Sequence, residues 1–279
     1  MRKLASWLLL FAVCPAAQGS LIFDPPSPLG PTVNSRDLDA QPIISRDGLR
    51  LFFASTRNGG QGRRDIWLSQ RANIADSFGT PVNLGSIVNA RADDDPGTES
   101  PDGLRFYYSQ GIHLAVASRV SLATSWAGDT VVVSTDAFVN LHRPNGEFHP
   151  AVSADELTLI YQKNSVGPGD NHDLMLSTRS SVFDIWEEPI ALANINSVFG
   201  EVHPNLSADE LSLFFSSDRP GGAGDYDLYR ATRSSTNAPW TDPSVTVEHL
   251  TGSGINTSAL EVGPFVFRDS LYFSSIRSS

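Results

Sequence analysis

The residues best suited to chemistry in this chain are carboxylates that recur in one setting. Asp39, Asp94, Glu147, Glu201 and Glu261 stand just ahead of a proline, in the runs DAQP, DDDP, EFHP, EVHP and EVGP. Gln41, His149 and His203 follow their acids by two residues, and Asn34, Asn89, Asn196 and Asn256 precede theirs by five. Two like charges at about 4 Å cost roughly 1 kcal/mol in water and about 4 kcal/mol at an effective dielectric of about 20. Carboxylates gathered at one narrow opening therefore cannot all ionise. They take up protons, bind a cation, pair with arginine or stay hydrated. Such a ring can bind a ligand. It can also hydrolyse a glycosidic bond, if two carboxyl groups face each other at about 5–5.5 Å or 6.5–9.5 Å and one keeps its proton. The plain alternative is that the acids bond the backbone of their own surroundings. His149 and His203 need a third ligand, from Glu147 or Glu201, before they make a metal site. Two histidines copied by a repeat do not establish one, so no cofactor is expected, with a cation in the channel the one exception weighed.

Other reactive patterns fail. No G-x-S-x-G run is present, and the only cysteine is Cys14. The glycine-rich stretch SSDRPGGAGDYDLYRATR (216–233) has no lysine after its glycines, so it is not a Walker loop. Asp218, Asp225 and Asp227 suggest a calcium loop. Yet Asp218 is replaced by Thr56 and Asn164 in related stretches, and Asp225 by Arg63. Asp65, Asp173 and Asp227, with Arg71, Arg179 and Arg233, are instead read as structural residues that cap or pair at turns.

That reading rests on a repeat, which sets the elements that position the acids. DELSLFFSSDR from Asp209 has relatives starting at Asp47, Asp102, Asp155 and Asp269. Asp65, Asp173 and Asp227 each lie 18 residues beyond their unit's first aspartate, and Arg71, Arg179 and Arg233 follow six later. Phe78, Trp186 and Trp240 come seven after that, and Arg119 is likewise followed by Trp126. Each unit reads as four short strands separated by Gly, Pro, Asn and Asp, with no amphipathic helix of about ten residues. Aromatic residues at fixed offsets in units of this size predict propeller blades. The expected fold is all-β: a five-bladed β-propeller of four-stranded blades. Its closing blade is shared between an N-terminal outer strand, LIFDPPSPLG, and the C-terminal SLYFSSIRSS. The third-strand motif is missing from the fifth unit. Either that blade has three strands or the natural chain is longer.

The repeat resembles the PD40 family, the WD40-like propeller repeats of the TolB type. Pro204 to Tyr229 carries nearly all of the family pattern, and Pro42 to Trp67 carries most. The third unit departs at Lys163-Asn164-Ser165, and the second lacks the long turn. The resemblance implies a propeller that binds proteins or peptides, often at the bacterial envelope. The chain has no counterpart of TolB's α/β domain or of a peptidoglycan-binding domain, so TolB's own function does not follow.

Residues 1–19 read as a secretory signal peptide: Arg2 and Lys3, then the apolar Leu4–Cys14, then Ala17-Gln18-Gly19. Residues 20–279 read as one propeller domain, exported to the periplasm or outside the cell. The formal charge is −11, and Lys163 is the only lysine after the leader. An acidic chain without a basic run argues against nucleic acid and anionic membranes. No second apolar run is long enough to span a bilayer. The function expected is non-catalytic binding of a peptide, protein or glycan at the acidic channel mouth, by a monomer. The alternatives are a glycoside hydrolase using channel carboxylates and a structural envelope scaffold.

Overall fold

The computed structural model of the chain describes residues 7–14, 21–128, 131–141, 146–164, 172–252 and 254–277. Four sheets of four antiparallel strands follow one another along the chain. The first blade runs from its inner strand Asp39–Ile44 through Arg50–Ser55 and Asp65–Gln70 to an outer pair, Val82–Asn83. The second is Asp94–Glu99, Arg105–Gln110, His113–Ser118 and Val132–Ser134. The third is Glu147–Val152, Thr158–Asn164, His172–Thr178 and Ile190–Ala191. The fourth is Glu201–Leu206, Ser212–Ser217, Asp227–Thr232 and Thr246–His249. Neighbouring inner strands touch in sequence, and that of the fifth sheet, Glu261–Phe267, returns to the first. The inner strands therefore form a closed ring.

The second strands explain why the sheets stack radially. LFFAS, FYYS and LFFSS are buried along almost their whole length. A strand covered on both faces reads as a continuous apolar run rather than an alternating one. Phe52 faces the second blade, packing with Phe106 and Trp126, while Phe53 packs towards Tyr272 of the fifth sheet. Equivalent clusters join blades two and three through Tyr107 and Trp186, three and four through Ile160 and Phe215, and four and five through Phe214 and Phe273. Each inter-blade space has its own core, so the ring is closed by apolar burial as well as by strand order.

The fifth sheet corrects the expectation of five equivalent four-stranded blades. Its base is a two-stranded hairpin, Glu261–Phe267 with Ser270–Ser275. The third place is taken by Trp7–Cys14, antiparallel to Ser270–Ser275. Ile22–Phe23 and Ser27–Pro28, from the stretch expected to supply a full outer strand, each pair with only two residues of that segment. The wheel is thus four regular blades plus a fifth sheet of different make. The physical reason is that Ser270–Ser275 pairs with the apolar segment Trp7–Cys14 in the place a D-(L/I)-(Y/W) strand takes in the other units. The strand beside the hairpin comes instead from residues read as the core of the leader. Among the described residues no helix is long and apolar enough to cross a membrane.

Repeat residues brace each blade internally. Arg71, Arg119, Arg179 and Arg233 donate Nε to the carbonyls of Gly48, Gly103, Glu156 and Glu210, at 2.7–2.8 Å, in the turn after each inner strand. Their guanidinium groups lie 4.2–4.7 Å from the ring centres of Phe78, Trp126, Trp186 and Trp240. This is the cation–π geometry, and it accounts for the seven-residue spacing. Asp227 accepts the amides of Ala223 and Gly224 at 2.7 and 3.1 Å, capping the glycine-rich turn. Asp65 does the same for Gln61 and Gly62. The corresponding turn before Asp173 lies outside the described residues.

Candidate functional site

The five acids stand at the starts of the inner strands, and all are fully buried at 0% exposure. The bonds of Asp39, Glu201 and Glu261 run into their own sheets and the loops that lead into them. Asp39 accepts Ser35 Oγ at 2.8 Å, Ser55 Oγ at 2.7 Å and Arg57 Nη2 at 2.6 Å. Glu201 accepts Ser197 Oγ, Ser217 Oγ and Arg219 Nη2 at 2.6, 3.0 and 2.8 Å. Glu261 accepts Thr257 Oγ1, Ser275 Oγ and Arg277 Nη2 at 2.8, 2.7 and 3.0 Å. Glu147 lies 3.7 Å from His113 Nδ1. Asp94 accepts the main-chain amides of Ala90 at 2.6 Å and Gly111 at 3.2 Å. Burial pushes its carboxyl up to about 7, against the pull of those two amides. The acids therefore anchor inner strands rather than project into open solvent. Arg219 reaches Glu201, not Asp227, so the arginine of the glycine-rich stretch 216–233 serves the inner strand.

The residues two places further on do reach the axis. Every inner strand slips register at the same point, a β-bulge. Gln41, His149 and His203 occupy that point with φ of 56°, 55° and 54°; the equivalent places hold Pro96 and Gly263. The left-handed region is uncommon for non-glycine residues and costs of order 1–3 kcal/mol at each. Serines of the preceding sheets hold the bulges: Ser274 Oγ accepts Gln41 N and Ser109 Oγ accepts His149 N, both at 2.8 Å. Gln41 Nε2 lies 2.8 Å from His149 Nε2 and 3.0 Å from His203 Nε2. A side chain of the first blade that meets side chains of the third and fourth has crossed the channel. The three close the axis at this level.

Asp95, one residue beyond Asp94, joins them. Its Oδ2 is 3.4 Å from His149 Nε2 and accepts Arg64 Nη2 at 2.6 Å. Burial opposes its charge, but the bonds from His149 and Arg64 prevail and hold its carboxyl below the usual range. Burial, with the neighbouring His149 and Arg64, keeps His203 well below an ordinary histidine, hence neutral. Sequence reasoning missed Asp95 and the arginines 57, 219 and 277. The S-x-R run shared by three units was the available signal for the arginines. Among the described residues, no three His, Cys, Asp or Glu side chains are grouped to hold a metal.

The opposite mouth is open. A cavity of about 320 Å³ lies among the turns that follow the inner strands, lined by all five sheets. Ile44, Val152, Leu206, Phe265 and Phe267 form its apolar wall, with Arg46, Glu210 and Arg268 also lining it. Glu99 and Glu156 line it as well, already engaged. Arg50 holds Glu99 through Nε and Nη2 at 3.2 and 3.0 Å. Arg105 holds Glu156 at 2.7 and 2.6 Å, and Tyr107 Oη donates to Glu156 at 2.6 Å. Burial raises Glu99 above the ordinary glutamate range despite Arg50. A second cavity, about 340 Å³, shares Ser207, Ala208, Val266 and Arg268 with the first and continues to Phe23. The mouth thus extends as a groove between the fourth blade and the fifth sheet. Around the same face, in the loops after Arg71, Arg119 and Arg179, stand Ile74, Val120, Leu122 and Phe183, exposed by 38, 80, 60 and 93%.

The ring of sheets defines the fold as a β-propeller. No protein-family profile matches the chain, and no curated protein sequence does. Among solved structures it is similar to the protein solved as TolB from Agrobacterium tumefaciens, with a TM-score of 0.51 and 17% identity over 93% of this chain and 73% of that one. It is equally similar to a thermostable family-43 glycoside hydrolase, with a TM-score of 0.54 and 13% identity over 85% and 83%. An α-L-arabinofuranosidase from Lactobacillus brevis gives 0.52 and 12% over 88% and 85%. At these identities the likeness establishes the fold alone.

Proposed function

We propose that this is a non-catalytic propeller that binds a peptide or a protein segment across its turn face. The reading is carried by the cavity of about 320 Å³ and its continuation as a groove. An apolar cleft with a few charged groups at its edge is the usual form of a binding site. The surrounding exposed Val120, Leu122 and Phe183 favour a macromolecular partner over a small one. The site sits at the turn mouth, opposite the acid-bearing strand starts, because the acids are consumed in strand anchoring.

Peptide-library selection against the whole protein tests this. Selected peptides should lose at least about tenfold in affinity, about 1.4 kcal/mol, when Ala208→Trp fills the mouth. They should bind Val132→Glu, on an outer strand, as they bind the wild type. Equal binding to the mouth-filled variant would overturn the proposal. The hydrolase alternative is separated by an activity screen on arabinan and xylan oligomers, where turnover would replace the binding reading.

A further inference from the structure

We infer that the turn-face mouth reads a carboxylate: the peptide it takes sets an Asp or Glu side chain, flanked by apolar residues, against Arg46 and Arg268. This rests on the peptide reading above and adds a charge to it. The inference starts from one place in the repeat. After each inner strand the chain turns back, and the last paired residues are Ser45, Ser100, Ser153, Ser207 and Phe267. The residue after each of these lines the cavity: Arg46, Pro101, Ala154, Ala208 and Arg268. All are exposed. Three blades thus present a small uncharged residue where two present a cation. The two arginines stand on the first blade and the fifth sheet, which are neighbours in the ring. A Cβ on Gly48 would lie 2.6 Å from the ring of Phe267, so the two arginine-bearing turns pack together.

The charges at this mouth are unequal in a way that the formal charge of −11 hides. Its carboxylates are engaged. Arg50 and Arg105 hold Glu99 and Glu156. Glu210 accepts the amide of Ala154 at 2.7 Å. On the same turns Asp47 and Asp102 pair with Arg50 and Arg105, both at 3.0 Å. The arginines are not engaged. Arg46 has no hydrogen bond or ion pair among the described residues, and the guanidinium of Arg268 meets only the ring of its neighbour Phe267, at 5.2 Å. A guanidinium is a planar fork of donors that matches a carboxylate. Beside the apolar wall of Ile44, Val152, Leu206 and Phe265, water screens such a pair less than it does on an open surface. Arg230, the other arginine of the groove, is held by Glu248. Arg268 lines both the cavity and the groove. The carboxylate therefore binds where the two spaces meet, and a chain filling both continues on either side of it. That places the charge on a side chain within the segment, not at its C-terminus. Asp209 and Asp269 line the groove but not the cavity, and they disfavour a second acid further along.

The test uses the full-length protein and fluorescent nonapeptides, amidated at the C-terminus. They have serine at both ends, Leu, Val or Phe between, and Glu, Gln or Lys at the centre. In anisotropy titrations at neutral pH, central Glu should bind at least about tenfold more tightly than central Gln, with Lys weakest. The double variant Arg46→Gln, Arg268→Gln should reduce Glu to the level of Gln and leave the Gln peptides as the wild type binds them. Arg230→Gln should keep the preference. Salt that shortens the screening length from about 30 Å to about 3 Å should narrow the preference in the wild type but not in the double variant. Equal binding of Glu and Gln, a preference that survives in the double variant, or one that moves to Gln peptides with a free C-terminus would overturn the assignment. Those results leave peptide capture standing where Ala208→Trp weakens every peptide. Binding that Ala208→Trp does not affect overturns the capture reading instead, and binding of no peptide in the set overturns both.

Discussion

Arg57, Arg219 and Arg277 divide five similar acids into two kinds. Each reaches back across its sheet to the inner-strand carboxylate, at 2.6, 2.8 and 3.0 Å. In the second unit the corresponding place is Ile112, and in the third it is Ser165. Removing one partner from a buried pair costs about 3–5 kcal/mol, because a charge is left without compensation. Arg219→Ala should therefore lower unfolding free energy by about that amount in urea titrations, and a loss below about 1 kcal/mol would contradict the anchoring role. Asp94, lacking such an arginine, makes the opposite prediction. Its folded-state pKa, about 7, lies above the ordinary carboxyl value near 3.8. Its contribution is then fully present below about pH 4 and is lost as pH rises through about 7. At about 1.4 kcal/mol per pKa unit the loss approaches about 4 kcal/mol. Asp94→Asn should flatten the wild-type decline in stability between pH 4 and 8, and equal slopes would reject the assignment. The acids were legible from their spacing. Their arginines were not, because the pairing spans 16–18 residues and follows from strand register rather than from proximity in sequence.

Elements are joined by a device that spacing showed and geometry explains. Asn89 accepts the amide of Ile66 at 2.8 Å and donates to its carbonyl at 3.1 Å. Asn196 does this to Leu174, Asn256 to Leu228 and Asn34 to Leu8. Each amide thus completes the third strand of the sheet before it. An unsatisfied buried backbone group costs about 1–3 kcal/mol. Asn89→Ala should destabilise by that much, and hydrogen exchange should rise first at Ile66. Uniform exchange with unchanged stability would show that the contact is incidental. Glycine packing works at the same scale. A Cβ on Gly62 would stand 2.5 Å from the carbonyls of Ala90 and Ala92, which enter the next blade. The glycine-rich turns are therefore inter-blade contacts, a role beyond the capping by aspartate that the sequence pattern predicts. The fifth sheet was the least legible element. Trp7–Cys14 has the composition of a leader core, and neither length nor charge distinguishes an apolar strand from an apolar leader over eight residues.

At the scale of the molecule, the two faces of the wheel do different work. The strand-start face is closed by anchored acids and, below them, by Gln41, His149 and His203. The turn face keeps the cavity, the groove and exposed apolar loops. The sequence pattern located the axis but assigned the opening to the acid face, since burial of an acid by its own sheet leaves no trace in composition. This asymmetry makes a prediction that needs no ligand. Val120, Leu122 and Phe183 ring one face, whereas Val132 and Ile190, exposed by 66 and 51%, sit on outer strands. Combined replacement of the first three by glutamate should sharply reduce binding of an apolar fluorescent dye. The same change at Val132 and Ile190 should remove little of it, because isolated exposed residues form no patch. Surface substitutions of this kind shift stability by about 0.5 kcal/mol or less, so both variants should unfold at nearly the wild-type midpoint. Dye binding lost equally from both would mean that stickiness is spread over the wheel, and that the turn face holds no special claim on a partner.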